Sequence, residues 1–181
     1  MPRLFVALPL PDDIADGLAS LQEGIPDATW VPADNFHLTL AFIGDVDGGA
    51  QEDIIEALAT IEGPILDLEI TGVDHFVDGR TPKVLYAAVT PTEALMRLRA
   101  KVATILRGEG VTLDRRKYRP HVTLARFNRR AEMGHHIAQF VASNNLRRFG
   151  PFEVDCFNLY SSHTRPEGAI YTVEAEYPLG Y

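Results

Sequence analysis

Apolar positions along the chain follow two periods. Blocks that are continuous or alternate every second residue predict strands over 4–8, 36–43, 66–70, 73–77, 84–89, 121–127, 152–160 and 169–177. Blocks with helical spacing predict four helices. The first, 12–22, carries Ile14, Leu18 and Leu21 behind a Pro11-Asp12 start signal, and the second, 51–61, ends before Gly63-Pro64. The third, 92–106, sets Leu95, Leu98, Val102 and Ile105 on one side, and the fourth, 131–142, is interrupted by Gly134. Gly72 separates the third and fourth strands.

The order of elements repeats. Each half runs strand, helix, strand, helix and then two strands, so a single domain built from two similar halves, about 1–80 and 81–181, is expected. Phe5-Val6-Ala7-Leu8 corresponds to Tyr86-Ala87-Ala88-Val89. His37-Leu38-Thr39-Leu40-Ala41 corresponds to His121-Val122-Thr123-Leu124-Ala125, and the two histidines lie 84 residues apart, close to half the chain. The second match is the stronger because it repeats two polar residues inside apolar runs. The fold class expected is α+β: two pseudo-symmetric lobes of antiparallel sheet, helices outside, with a cleft between them.

Composition adds limits. With 181 residues, 46% hydrophobic and 23% charged, the chain has the profile of an ordinary globular domain, with no segment suited to span a membrane or direct export, and a cytoplasmic home is expected. The lone Cys156 cannot form an internal disulfide and reads as a small buried side chain. A net charge of −8 argues against a surface that coats nucleic acid throughout. Cations are nevertheless concentrated: Arg115, Arg116, Lys117, Arg119, Arg126, Arg129 and Arg130 fall within sixteen residues that contain no acid and surround His121. Such a concentration in an acidic protein points to an anion.

On a strand, His37 shares a face with Thr39, and His121 with Thr123. Two such strands across a pseudo-symmetric cleft would gather two imidazoles and two hydroxyls, groups too costly to bury without partners or ligand. This set suits in-line displacement at phosphorus, with a neutral imidazole taking a proton from water and a protonated one giving a proton to the departing ribose oxygen. The threonine hydroxyls can hold non-bridging oxygens, and Arg126 is the candidate guanidinium clamp. No metal centre and no cofactor are expected: helical i,i+4 histidine pairs and cysteine clusters are missing, and His75, His135, His136 and His163 read as bystanders. No Gly-x-Ser-x-Gly elbow supports a serine triad.

These motifs, with Arg3-Leu4-Phe5-Val6-Ala7, Trp30, Phe42-Ile43-Gly44, Pro120 to Arg126, Leu159-Tyr160-Ser161-Ser162 and Tyr171, resemble the 2H phosphoesterase superfamily. The likeness is nearest to the bacterial and archaeal RNA 2′,3′-cyclic phosphodiesterases, historically called 2′-5′ RNA ligases. The resemblance implies hydrolysis of an RNA-terminal 2′,3′-cyclic phosphate to a 2′-phosphate. It makes His37 the proton donor, His121 the proton acceptor, and Thr39, Thr123 and Arg126 phosphate ligands. The chemistry alone does not say which histidine does which. Phe5 is a candidate stacking partner for a base, although Phe5 and Trp30 both read more readily as core residues than as base platforms. The expected partner is an RNA end or nucleotide bearing a 2′,3′-cyclic phosphate, without membrane or obligate protein partner. Reverse chemistry (2′-5′ ligation), a non-catalytic RNA-binding module and a mononucleotide phosphodiesterase are the alternatives.

Overall fold

Nine strands form one antiparallel sheet in a computed structural model that describes residues 2–79, 81–128 and 134–180. The strands are β1 (Arg3–Pro9), β2 (Thr29–Trp30), β3 (His37–Asp45), β4 (Leu66–Asp78), β5 (Thr81–Val89), β6 (His121–Arg126), β7 (Arg148–Val154), β8 (Cys156–Arg165) and β9 (Gly168–Pro178). The helices are α1 (Asp12–Ala19), α2 (Gly48–Leu58), α3 (Glu93–Gly108) and α4 (His135–Asn144). The sheet order is β7-β4-β5-β6-β3-β1-β8-β9, with β2 laid against β6.

The middle of this order is its weakest joint. β3 and β6 meet through one residue pair, Leu38 opposite Val122, whereas β1–β3 and β5–β6 pair over most of their length. The sheet therefore divides into two wings, β9-β8-β1-β3 and β6-β5-β4-β7, that meet at a narrow seam. Each wing draws on both halves of the sequence. β4, from the first half, pairs with β5 and β7, while β8, from the second, pairs with β1.

The core lies on the sheet face turned away from the histidines. Leu38 and Val122 are fully buried, as are Leu4, Val6 and Leu8 on β1 and Leu85 and Ala87 on β5. α3 packs against β3 and presents Leu95, Leu98, Val102 and Leu106. Side-chain caps start two helices: the Thr92 hydroxyl accepts from the Leu95 amide at 3.2 Å, and Asp47 accepts from Ala50 at 2.8 Å. The Asp47 cap moves the start of α2 ahead of the predicted position 51.

Three other predictions change. The strands expected at 66–70 and 73–77 are one strand, irregular around Gly72, whose φ of +83° carries the chain through the bend. The strand expected at 152–160 is two, because the chain leaves β7 at Asp155 and enters the opposite wing as β8. Cys156, at that break, is half-buried, while Phe152 and Val154 before it are buried as expected. α4 is described from His135; the predicted positions 131–133 lie outside the described residues. Among the described residues no helix is long and apolar enough to cross a membrane.

Candidate active site at the seam

The two histidines reach the seam by the same local device. Each ring stands at the start of its strand, and its Nδ1 contacts the carbonyl oxygen two residues back: His37 to Asn35 at 2.8 Å, His121 to Arg119 at 2.7 Å. A carbonyl only accepts, so Nδ1 carries the hydrogen in both rings. Each Nε2 is then the nitrogen that exchanges a proton, accepting when the ring is neutral and donating when it is charged.

Antiparallel register sets the threonines. With Leu38 opposite Val122 and the strands antiparallel, His37 lies toward the Thr123 end of the seam and Thr39 toward the His121 end. Both histidines and both threonines are half-buried, between the sealed core and open solvent. The four polar groups expected from the doubled motif are thus brought together.

Arg126 joins them through a bulge. Strict alternation after Thr123 would turn Ala125 toward the cleft and Arg126 away from it. The pairing instead slips: Tyr86 lies opposite Thr123, but Leu85 lies opposite Ala125, so Leu124 is an extra residue on β6. Leu124 and Ala125 are both buried, and Arg126 emerges exposed on the cleft side. β3 carries the same slip, with Ala7 opposite Thr39 and Val6 opposite Ala41, and there the residue re-aimed is Phe42, 56% exposed.

Aromatic rings back each histidine. Phe5 lies 4.9 Å from His37 between ring centroids, stacks on Tyr160 at 5.1 Å, and meets the edge of Tyr171 at 5.1 Å. On the other wing Phe76 stacks on Tyr86 at 4.3 Å, and His121 is 5.3 Å from Phe76 and 5.2 Å from Tyr86. Phe5, proposed from sequence as a base partner, is only 3% exposed and packs against the His37 ring, leaving little face for a ligand. The sequence gives Tyr86 and Phe76 no place at the site, and Tyr160 and Tyr171 enter there only as part of the family resemblance. The match of Phe5 to Tyr86 was the signal for the first of them.

Burial sets the electrostatics. Desolvation pulls His37 from 6.5 down to about 4; the Asn35 carbonyl opposes this, and the charges of Arg126 and His121 add to it. His121 is lowered by the same cause, opposed by Arg119 O and assisted by Arg126. Arg126 therefore acts on both rings. Among the described residues, no group of three or more His, Cys, Asp or Glu side chains is arranged to hold a metal ion.

The sequence profile of the 2′-5′ RNA ligase superfamily matches residues 10–166. The chain belongs to this superfamily. An RNA 2′,3′-cyclic phosphodiesterase from Thermotoga maritima is 29% identical over 179 residues, covering 94% of this chain and 92% of that protein. One from Aeropyrum pernix is 31% identical over 149 residues, covering 82% and 84%. A Geobacillus stearothermophilus relative of the same name is longer: the match spans 67% of this chain and 41% of that protein. Escherichia coli LigT, solved with 3′-AMP, superposes over the full length of both chains with a TM-score of 0.81 at 23% identity, which is a likeness of fold.

For this superfamily member the remaining histidines stand apart from the seam. His135 and His136 are exposed on α4 with their rings tilted against each other at 4.1 Å; His163 is exposed near the end of β8; His75 rests beside Asp74 at 3.3 Å. Trp30 packs against Phe140 at 5.9 Å and joins the core margin, as expected of it. Of the basic run, Arg116 is held by Asp114 at 2.6 Å, and Arg129 and Arg130 lie outside the described residues.

Proposed function

We propose that this chain hydrolyses RNA-terminal 2′,3′-cyclic phosphates to 2′-phosphates at the β3–β6 seam. The observation that carries the reading is the pair of imidazoles, each fixed through Nδ1 to a backbone carbonyl, on two strands joined at the seam by Leu38 opposite Val122. The named activity of relatives that align along most of the chain supports it.

The cyclic phosphate sits between the two Nε2 atoms. His121 accepts a proton from water as the water oxygen bonds to phosphorus. The bond from phosphorus to O3′ breaks on the opposite side, and His37 delivers a proton to that oxygen. The products are a 2′-phosphate and a free 3′-hydroxyl. Thr39 and Thr123 donate to the non-bridging oxygens, and Arg126 holds their charge, which builds in the transition state. The acid and base roles follow the family resemblance.

His37 must be charged to serve as acid, yet burial holds it near 4 in the protein alone. The phosphodiester anion supplies the opposing charge: an opposite charge within a few ångströms favours the imidazolium. The cytoplasm, where thiols stay reduced, fits the single cysteine and completes the proposal.

The test is hydrolysis of a short oligoribonucleotide ending in a 2′,3′-cyclic phosphate, with EDTA present, by wild type, His37→Ala and His121→Ala. Wild type yields the 2′-phosphate and each variant loses at least about a hundredfold in rate, the lower end of what general acid–base catalysis contributes. No turnover by folded wild type would remove the proposal.

A further inference from the structure

The two wings match about the seam in their strands and in the aromatic rings that back each histidine, Phe5 beside His37 and Phe76 with Tyr86 beside His121. On the first wing the space beside His37 is filled by Phe5, Tyr160 and Tyr171. On the second, a cleft of about 790 Å³ opens off Thr39 and His121 and runs outward between β3, the end of β4 and the segment before β6. That volume exceeds what one cyclic phosphate needs and lies in the range of roughly 300–1,000 Å³ that holds a small organic ligand.

Its lining combines two chemistries. Phe42, turned into the cleft by the β3 bulge, is 56% exposed, and Val77 is 49% exposed. Large apolar side chains this open beside a polar site offer a face to a flat ligand. Around them stand the cations Lys83, Arg99, Arg116, Lys117 and Arg119, against the acids Asp78 and Asp114. Asp114 is taken up by Arg116 at 2.6 Å, and Arg99 lies over the Tyr118 ring at 5.0 Å. Lys83 and Lys117 are exposed and form no ion pair among the described residues, so the cleft keeps positive charge.

An open aromatic ring flanked by lysines is the recognition chemistry of a single-stranded nucleotide, with the base on the ring and the phosphodiester on the ammonium groups. We infer that this cleft is a second nucleotide subsite, taking the residue immediately 5′ to the one that bears the cyclic phosphate. Its base lies on Phe42, and Lys83 and Lys117 hold the linking phosphodiester. The inference rests on the proposed hydrolysis at the seam and adds a substrate class: oligonucleotide ends over cyclic mononucleotides.

The experiment compares kcat/KM for adenosine 2′,3′-cyclic phosphate with that for the diadenosine dinucleotide ending in a 2′,3′-cyclic phosphate. It uses wild type, Phe42→Ala and the double variant Lys83→Gln/Lys117→Gln, at low and high salt. In wild type the dinucleotide is preferred by roughly tenfold or more, the scale of one base stacked on one aromatic ring. Phe42→Ala lowers that ratio severalfold. The lysine pair lowers it too, and removes most of its dependence on salt. Equal efficiency for both substrates in wild type, or an unchanged ratio in both variants, overturns the subsite while leaving the hydrolysis reading intact. Failure to turn over either substrate overturns the hydrolysis reading and this inference with it.

Discussion

The Tyr118 hydroxyl donates a hydrogen bond to the backbone carbonyl of Thr39 at 2.7 Å, tying the segment before β6 to the strand that carries the first histidine. The two are 79 residues apart in sequence, and the bond adds to the Leu38–Val122 pair in joining the two sides of the seam. Arg99 lies over the Tyr118 ring and holds it from the other side. Tyr118→Phe keeps the ring and this contact but leaves the Thr39 carbonyl without its donor. A loss of about 1 kcal/mol is expected, the usual net value of one such bond. Urea unfolding of the variant checks it, and a midpoint equal to that of wild type would show the tie to be energetically idle.

Burial of His37 makes stability depend on pH. Its pKa is 6.5 in the unfolded chain and about 4 in the fold, so the unfolded state binds more protons between those values. Stability from the neutral ring is complete above 6.5 and is lost as pH falls toward 4. His121, lowered by the same cause, adds in the same direction. The contribution of His37 is on the order of 3 kcal/mol, from its folded and unfolded values. His37→Gln removes the titration, so its unfolding midpoint should fall less between pH 7 and pH 4.5 than that of wild type. Parallel pH curves would assign the acid sensitivity to other groups.

A dense anion at the seam should reverse that depression. Inorganic phosphate bound between the imidazoles favours their charged forms, so binding draws protons from solution. Calorimetric titration with phosphate at pH 7, in two buffers of different ionisation enthalpy, measures the uptake. About one proton per site is expected, because burial lowers both histidines in the protein alone. A heat independent of buffer would mean that phosphate does not bind at the imidazoles.

Much of this site was legible in the residues because a strand has period two. His37 with Thr39 and His121 with Thr123 followed from alternation, and their equivalence followed from the repeated polar positions. Alternation also hid something. It places Arg126 on the wrong face, and only the slip at Leu124, visible in the pairing with β5, returns it to the cleft. Nothing in one sequence marks a bulge there, although buried Leu40-Ala41 before Phe42 and Leu124-Ala125 before Arg126 share the trace of it. The exchange of strands between wings was equally hidden. Phe152 to Tyr160 reads as one apolar run, yet Asp155 divides it between opposite wings of the sheet. Such pairings depend on contacts far apart in sequence, which local periodicity does not encode.

Gly72 bears on how β4 bends. Its φ of +83° lies in the left-handed region, and a Cβ there would overlap the backbone carbonyl of Asn145. Its amide also donates to the Arg147 carbonyl at 2.8 Å, so the approach is close on both sides. Gly72→Ala combines a left-handed penalty of about 1–2 kcal/mol with a clash that backbone must relieve. Gly79, at φ +64° with open space around it, isolates the first part. Thermal denaturation should place Gly72→Ala well below Gly79→Ala. Equal midpoints would mean that the loop at Asn145 yields freely.

Arg126 lowers both imidazoles by charge and is the proposed clamp on phosphate, and the two roles separate by substitution. Arg126→Met removes repulsion, so both histidines rise. The acid limb of the kcat/KM profile reports the pKa of the free base, and it should move to higher pH. Rate should fall about a hundredfold as well, since a hydrogen bond to a charged group is worth about 1.5–3 kcal/mol and the charge is lost with it. Arg126→Lys keeps the charge and therefore the position of the acid limb, but loses the planar fork, so its rate recovers only in part. A pH profile unmoved in Arg126→Met would show that its charge does not reach the imidazoles. Full activity in Arg126→Lys would show that a point charge suffices where bidentate geometry is proposed.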